Sequence, residues 1–226
     1  MKLKIWLRLE KQDLDQRIRH YSRFRLLLLL ATVFGFLFSV FWLWQKTNSL
    51  AVKFFDQAII GWILQIKTPG LINFFSLVTY LGGKSFTTLA LVILVIVLVM
   101  HHRRRAASAA LFSLAGSAAL VFLLKIVFGR LRPSGCLPGN DCFAFPSGHA
   151  TFSFYLYGLL AYLSWRFVPM SLKRFFLVGS FLGVLVVLIA LSRLLLQVHY
   201  PSDLLAGFFL GGSWLTLTIL LIDILY

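Results

Sequence analysis

Long unbroken apolar runs constrain this chain more than any other feature. LLLLLATVFGFLFSVFWLW (26–44) and LALVILVIVLVM (89–100) leave no polar face for water to wet. A hydrocarbon core of roughly 30 Å takes about 20 apolar residues as a helix. Inside it every backbone N–H and C=O must be satisfied internally, as a helix does. The expected fold is an all-α polytopic membrane protein. Six spanning segments can be placed, at 24–44, 84–100, 106–128, 148–165, 174–192 and 203–224. No repeat or low-complexity tract divides residues 1–226, which are read as a single domain.

The formal charge of +15 comes from 22 Lys and Arg against 7 Asp and Glu. In a soluble chain such an excess suggests nucleic acid, but in one that is 60% hydrophobic it marks cytoplasmic membrane ends. Residues 1–23 read as a basic cytoplasmic lead-in resting on anionic headgroups. They do not read as a cleavable signal peptide, because the following run is too long and lacks a small-residue cleavage pattern. Lys and Arg concentrate before the first span, in HHRRR (101–105) and near 166–174. That bias places both termini in the cytoplasm of a plasma membrane, of bacterial type, since no organellar targeting segment is seen.

Residues 45–83 do not fit the spanning pattern. VKFFDQAIIGWILQIK (52–67) places Phe55, Ile59, Trp62 and Ile66 three or four apart, interrupted by Lys53, Asp56, Gln57 and Gln65. This periodicity predicts short interfacial helices near 50–81, on the outer face of the membrane. A further crossing in this segment is the alternative.

Charges at membrane depth are costly and therefore informative. Alternating spans bring the end of the third, the start of the fourth, the end of the fifth and the start of the sixth to one side. Lys125, Arg132, Arg193, His149, His199 and Asp203 then share the extracytoplasmic face. Two guanidinium groups and an ammonium suit a compact oxyanion such as phosphate. PSGH (146–149) opens the fourth span, and the start of a helix offers unpaired N–H groups and partial positive charge. Ser147 adds a hydroxyl, and Gly148 leaves the backbone open to a ligand. Neutral His199 can attack phosphorus if one ring nitrogen is free and the other is held, and Asp203 lies four residues on to hold it. His149 is placed to protonate the leaving oxygen and later to activate water.

These residues resemble the three signature motifs of the type-2 phosphatidic acid phosphatase superfamily. KIVFGRLRP matches K-x6-R-P, PSGH matches directly, and SRLLLQVHYPSD matches S-R-x5-H-x3-D. The motifs run from Lys125 to Asp203, and the span layout is similar to the family's membrane members over most of the rest. The resemblance implies a metal-independent phosphatase with no cofactor, acting on a phosphorylated membrane lipid. It makes His199 the nucleophile, Asp203 its partner and His149 the general acid. Lys125, Arg132, Ser147, Gly148 and Arg193 would hold the phosphate. Size and layout are most like bacterial members that act on phosphatidylglycerophosphate. Undecaprenyl diphosphate phosphatase or broad lipid phosphate phosphatase activity is the alternative. A non-catalytic transporter of phospholipids or anions is the rival from another class, and it needs no general acid.

Metal binding by His149, His199 and Asp203 is disfavoured by the three cations beside them. Cys136 and Cys142 sit in the outer loop SGCLPGNDC, where a disulfide or two unpaired thiols are both open. His101 and His102 fall on the cytoplasmic side, away from the other polar groups. Oligomeric state is not legible.

Overall fold

The computed structural model describes residues 25–35, 37–39, 41, 42, 50–136 and 141–225. The basic lead-in 1–23 and the loop tip 137–140 lie outside the described residues. Helix α1 covers Arg25–Ser39. It is followed by α2 (Leu50–Ile66), α3 (Pro69–Val78) and a 3-10 turn, η1 (Thr79–Gly82). Then come α4 (Lys84–Met100), α5 (Arg104–Phe128), α6 (Gly148–Phe167), α7 (Leu172–Leu195) and α8 (Pro201–Leu225). Among the described residues there is no strand beyond one isolated antiparallel bridge, Leu131 to Phe143. The all-α expectation holds.

The expected spans are recovered as helices, but they are not equivalent. Helices α5, α7 and α8 are long and apolar enough to cross a membrane on their own. Helix α4 has 17 residues, and Arg25–Ser39 is also shorter than the usual length. Six independent crossings are therefore more than length and composition assign. Large apolar side chains point outward along these helices, including Phe122, Val127, Phe176, Phe181 and Val184. In water such a continuous patch would be an aggregation hazard, whereas here it is the surface that meets lipid.

Helix α6 sits at the centre, packed on α8, α7 and α4. Its inward positions Ala150, Thr151, Ser153, Tyr155, Leu156 and Leu159 are buried. Lipid offers no hydrophobic drive between helices, so close approach of small residues does the packing. Gly207 and Gly211 of α8 meet the backbone of α6 in this way. A Cβ on Gly211 would lie 2.6 Å from the Thr151 carbonyl oxygen, and one on Gly207 would lie 2.7 Å from that of Ser147. This contact holds the start of α6 against the start of α8. Gly211→Ala is expected to push the helices apart and cost about 1–3 kcal/mol, as overpacking does. Thermal unfolding in detergent checks it, and an unchanged midpoint would show that the interface tolerates the methyl group.

Residues 50–81 form short helices, as expected. The α2 axis meets the following segment at a bend of 116°. Val52, Asp56 and Ile63 are buried, whereas Trp62 and Ile66 are exposed. Asp56 is drawn inward by partners far along the chain, at Arg130 and Ser202.

Candidate active site

The site is built where α5, α6, α7 and α8 end or begin. Gly129, with φ of 56°, closes α5 in the left-handed conformation that glycine adopts without strain. The chain then runs extended. Arg132 N–H donates to the Cys142 carbonyl (3.1 Å), and Ala144 N–H donates to that of Arg130 (2.7 Å). A disulfide joins Cys136 to Cys142 and closes the loop. Side chains alternate along an extended segment. Thus Leu131 faces outward, while Arg130 and Arg132 both turn in.

Arg132 is buried and fully engaged. Its Nη1 donates to the Val198 carbonyl (2.8 Å) and lies 3.0 Å from His199 Nε2. Its Nε donates to the Asp141 carbonyl at 3.0 Å, and its Nη2 to Asp141 Oδ2 at 2.6 Å. Lys125 Nζ donates to the other Asp141 oxygen at 2.9 Å. Asp141 thus spans the two cations that the K-x6-R-P motif contributes. Burial alone would raise the Asp141 carboxyl, but the Lys125 ammonium and the Arg132 guanidinium outweigh it and hold the group below its usual range. Arg193, at the end of α7, donates from Nη1 to Thr79 Oγ1 of η1 (2.7 Å). Its buried Nε has no partner among the described residues.

His199 lies in the short turn between α7 and α8 and is 1% exposed, so its protonation is set by neighbours rather than water. A guanidinium can only donate, so the contact with Arg132 makes Nε2 an acceptor with a lone pair. The ring proton is then on Nδ1, which faces Asp203 Oδ2 at 3.5 Å, long for a hydrogen bond. Burial, followed by the Arg132, Arg193 and Lys125 charges, pushes the imidazole well below its ordinary pKa. His199 is therefore neutral, with Nε2 toward the cations.

Asp203, in the first turn of α8, is fully buried. It accepts from Arg130 Nη1 through Oδ1 (2.6 Å) and from Tyr200 N–H through Oδ2 (2.8 Å). Its backbone carbonyl accepts from Ser147 N–H (3.1 Å), which ties the two motif turns together. Ser147 caps α6, its hydroxyl accepting from Ala150 N–H (3.4 Å). A Cβ on Gly148 would meet Phe152 and Val121 at 3.4 and 3.7 Å, so the glycine faces packed side chains on that side. His149 lies against the turn after η1, with Nε2 3.9 Å from where a Cβ on Gly83 would be. Among the described residues no three His, Cys, Asp or Glu side chains cluster as metal ligands.

All eight expected site residues thus lie on the motif turns and helix ends at one end of the bundle. Two others were not expected there. Arg130 reaches the partner of His199, and buried Asp56 reaches Arg130 from α2. The spacing of Arg130 and Arg132, two apart in an extended loop, was a usable signal for the first. Nothing local marked the second.

The comparisons with known proteins identify the family. The PAP2 superfamily pattern matches residues 106–225, which include all three motifs. The chain belongs to the PAP2 superfamily. It is similar to phosphatidylglycerophosphatase B of Bacillus subtilis, 31% identical over 162 residues, covering 71% of this chain and 80% of that one. It is also similar to lipid A 4'-phosphatase of Bacteroides thetaiotaomicron, 35% identical over 108 residues, covering 41% and 43% of the two chains. Among solved structures, a transmembrane PAP2-type phosphatidylglycerolphosphate phosphatase from Bacillus subtilis superposes with a TM-score of 0.70. The two are 28% identical, over 88% of this chain and 94% of that one. Aquifex aeolicus LpxE shares the fold, with a TM-score of 0.54 at 23% identity, covering 72% and 93%. The family expected from the motifs is therefore the right one, and the protein is a multi-pass membrane phosphatase of that family.

Proposed function

We propose that this chain hydrolyses phosphatidylglycerophosphate to phosphatidylglycerol and phosphate, without a metal, through a phosphohistidine on His199. The observation that carries the reading is the state of that ring. Nε2 presents a lone pair beside Arg132 while Nδ1 faces the buried Asp203 carboxylate. A binding protein has no use for a neutral imidazole held in one tautomer among cations, so the transporter reading is disfavoured.

In the proposed reaction Lys125, Arg132, Arg193 and the first N–H groups of α6 take the phosphate oxygens. His199 Nε2 bonds to phosphorus as the bond from phosphorus to the glycerol oxygen breaks. That oxygen leaves with a proton from His149. His149, now neutral, takes a proton from water, whose oxygen attacks phosphorus and frees Nε2 and inorganic phosphate. Asp203 offsets the positive charge that the ring carries in the intermediate.

All 226 residues form one catalytic domain in this reading, with six crossings, both termini cytoplasmic and the site on the extracytoplasmic face. The similarity to phosphatidylglycerophosphatase B over 80% of its length favours phosphatidylglycerophosphate as the substrate. The groups described bind the phosphate that competing lipids share, so undecaprenyl diphosphate and other lipid phosphates stay in the test. Purified protein in detergent, with chelator, is assayed for phosphate release from phosphatidylglycerophosphate, phosphatidic acid and undecaprenyl diphosphate. The reading expects turnover, fastest on the first, that vanishes in His199→Ala. Turnover that survives His199→Ala would refute the mechanism, and faster turnover of another lipid would replace the substrate.

A substrate phosphate has to displace the Asp141 carboxylate from Lys125 and Arg132. Asp141→Asn keeps the loop's shape but removes the competing charge, so KM is expected to fall with kcat unchanged. A raised KM in initial-rate measurements would show that Asp141 supports the cations instead of competing for them.

A further inference from the structure

Arg130 and Asp56 belong to a buried chain of charges behind His199. Arg130 Nη1 donates to Asp203 Oδ1 and Nη2 donates to Asp56 Oδ2, both at 2.6 Å. The Arg130 guanidinium also stacks over the Tyr200 ring, its carbon 4.1 Å from the centroid. Asp56 is itself held on both oxygens. Oδ1 accepts from Ser202 N–H (2.9 Å), and Oδ2 accepts from Ser202 Oγ (2.8 Å). Asp56 and Asp203 are 2% and 0% exposed, so neither charge is answered by water.

The charge balance gives this arrangement a consequence. Arg130 paired with Asp203 alone would form a neutral couple, and the guanidinium would draw the carboxylate's charge away from His199. A second carboxylate on the other edge of the same guanidinium leaves the trio with one net negative charge. Asp203 Oδ2 is the oxygen of that trio that faces the ring. In a buried setting such a charge is screened little, so it weighs heavily on a neighbouring ring that becomes cationic.

We infer that Asp56 and Arg130 are positioning residues for the His199 reaction, acting through Asp203 and coupling α2 to the catalytic dyad. Arg130 fixes the carboxylate in place, and Asp56 compensates Arg130 so that Asp203 keeps its charge for the imidazole. Asp56 and His199 are 143 positions apart in sequence, yet two hydrogen bonds and one contact connect them. The kinetic part of the inference rests on the phosphatase reading above. The structural part, control of the Nδ1 proton, does not.

Two measurements on Asp56→Asn and Arg130→Lys test it. Asn removes one charge, and the Lys ammonium cannot span both carboxylates as a guanidinium does. Both variants are expected to lower kcat about 10- to 100-fold, as misplacement of a catalytic group at a distance does. KM and inhibition by orthovanadate should stay at wild-type values, because the groups that hold phosphate are untouched. Combining the substitutions should add little to either alone, because both break one unit. A merely structural role would weaken vanadate inhibition along with turnover, and that result would overturn the inference.

The second measurement needs no turnover. Nuclear magnetic resonance of histidine-labelled protein in detergent, with His199 assigned by its absence in His199→Ala, reports the Nδ1 proton directly. The inference expects that resonance to shift in both variants, and an unmoved resonance would overturn it. If the wild type hydrolyses none of the lipids, the phosphatase reading fails and this resonance decides the inference alone. Should Asp56→Asn not accumulate as folded protein, Arg130→Lys retains the positive charge and carries the same two expectations.

Discussion

Asp203→Asn is expected to lower kcat by about four orders of magnitude while leaving the helices and phosphate affinity in place. The size follows from cases in which a buried carboxylate holds a catalytic histidine in its working tautomer. Asn is nearly the same shape, so what changes is which atoms donate. Oδ1 of Asp203 receives Arg130 Nη1, and Oδ2 receives Tyr200 N–H and faces His199 Nδ1. The Asn amide has one accepting oxygen and one donating nitrogen. Turned toward Arg130, the nitrogen sets donor against donor. Turned toward His199, it donates to Nδ1 and moves the ring proton to Nε2, which then has no lone pair to attack phosphorus. Either orientation damages the nucleophile and leaves Lys125, Arg132 and Arg193 untouched. Rates on a lipid substrate together with vanadate inhibition check this. A loss of vanadate inhibition as large as the loss of kcat would show that Asp203 builds the phosphate site.

Arg132→Lys should have the opposite signature, with kcat/KM falling by roughly 10³-fold or more, as for arginines that clamp a transferring phosphoryl group. The residue changes nominally little, but its contacts are those of a planar fork. Nε and Nη2 reach Asp141, while Nη1 serves the Val198 carbonyl and His199 Nε2. One ammonium cannot supply those directions. The Val198 carbonyl would lose its donor, and an unsatisfied buried group costs about 1–3 kcal/mol. The phosphoryl oxygens would lose bidentate bonding where charge develops. Vanadate inhibition should weaken along with turnover, which separates this variant from Asp203→Asn. Near-wild-type kcat/KM would mean that Arg132 supports the loop and leaves the transition state to Lys125 and Arg193.

The difference between these two variants reflects how the site is written into the sequence. Lys125, Arg132, Arg193, His149 and His199 were legible because each is a polar group at or near the end of a long apolar run. Alternating spans then required them to meet. Helix existence was legible for the same reason, since lipid leaves the backbone few other options. The role of Asp56 was not, because a lone carboxylate in a weakly amphipathic segment looks like a solvated face. Its partners lie more than 70 positions away, at Arg130 and Ser202. The buried positions of α2 are Val52, Asp56 and Ile63, a set that the apolar periodicity does not pick out. Short helices in 50–81 were legible, but which face of α2 is buried depends on an ion pair that periodicity does not contain. The close packing of α8 on α6 at Gly207 and Gly211 was likewise hidden, since two glycines in a long apolar run also suit a loose helix.

The covalent step can be seen directly. Wild-type protein in detergent is mixed with lipid carrying radiolabelled phosphate and quenched in alkali within a single turnover, with chelator present. Label is expected on the protein in the form of phosphohistidine, stable to alkali and released by acid. That label maps to the peptide containing His199 and is absent from His199→Ala. Label-free protein at every quench time, with phosphate still released at the wild-type rate, would mean that water attacks the substrate directly and that His199 is not the nucleophile.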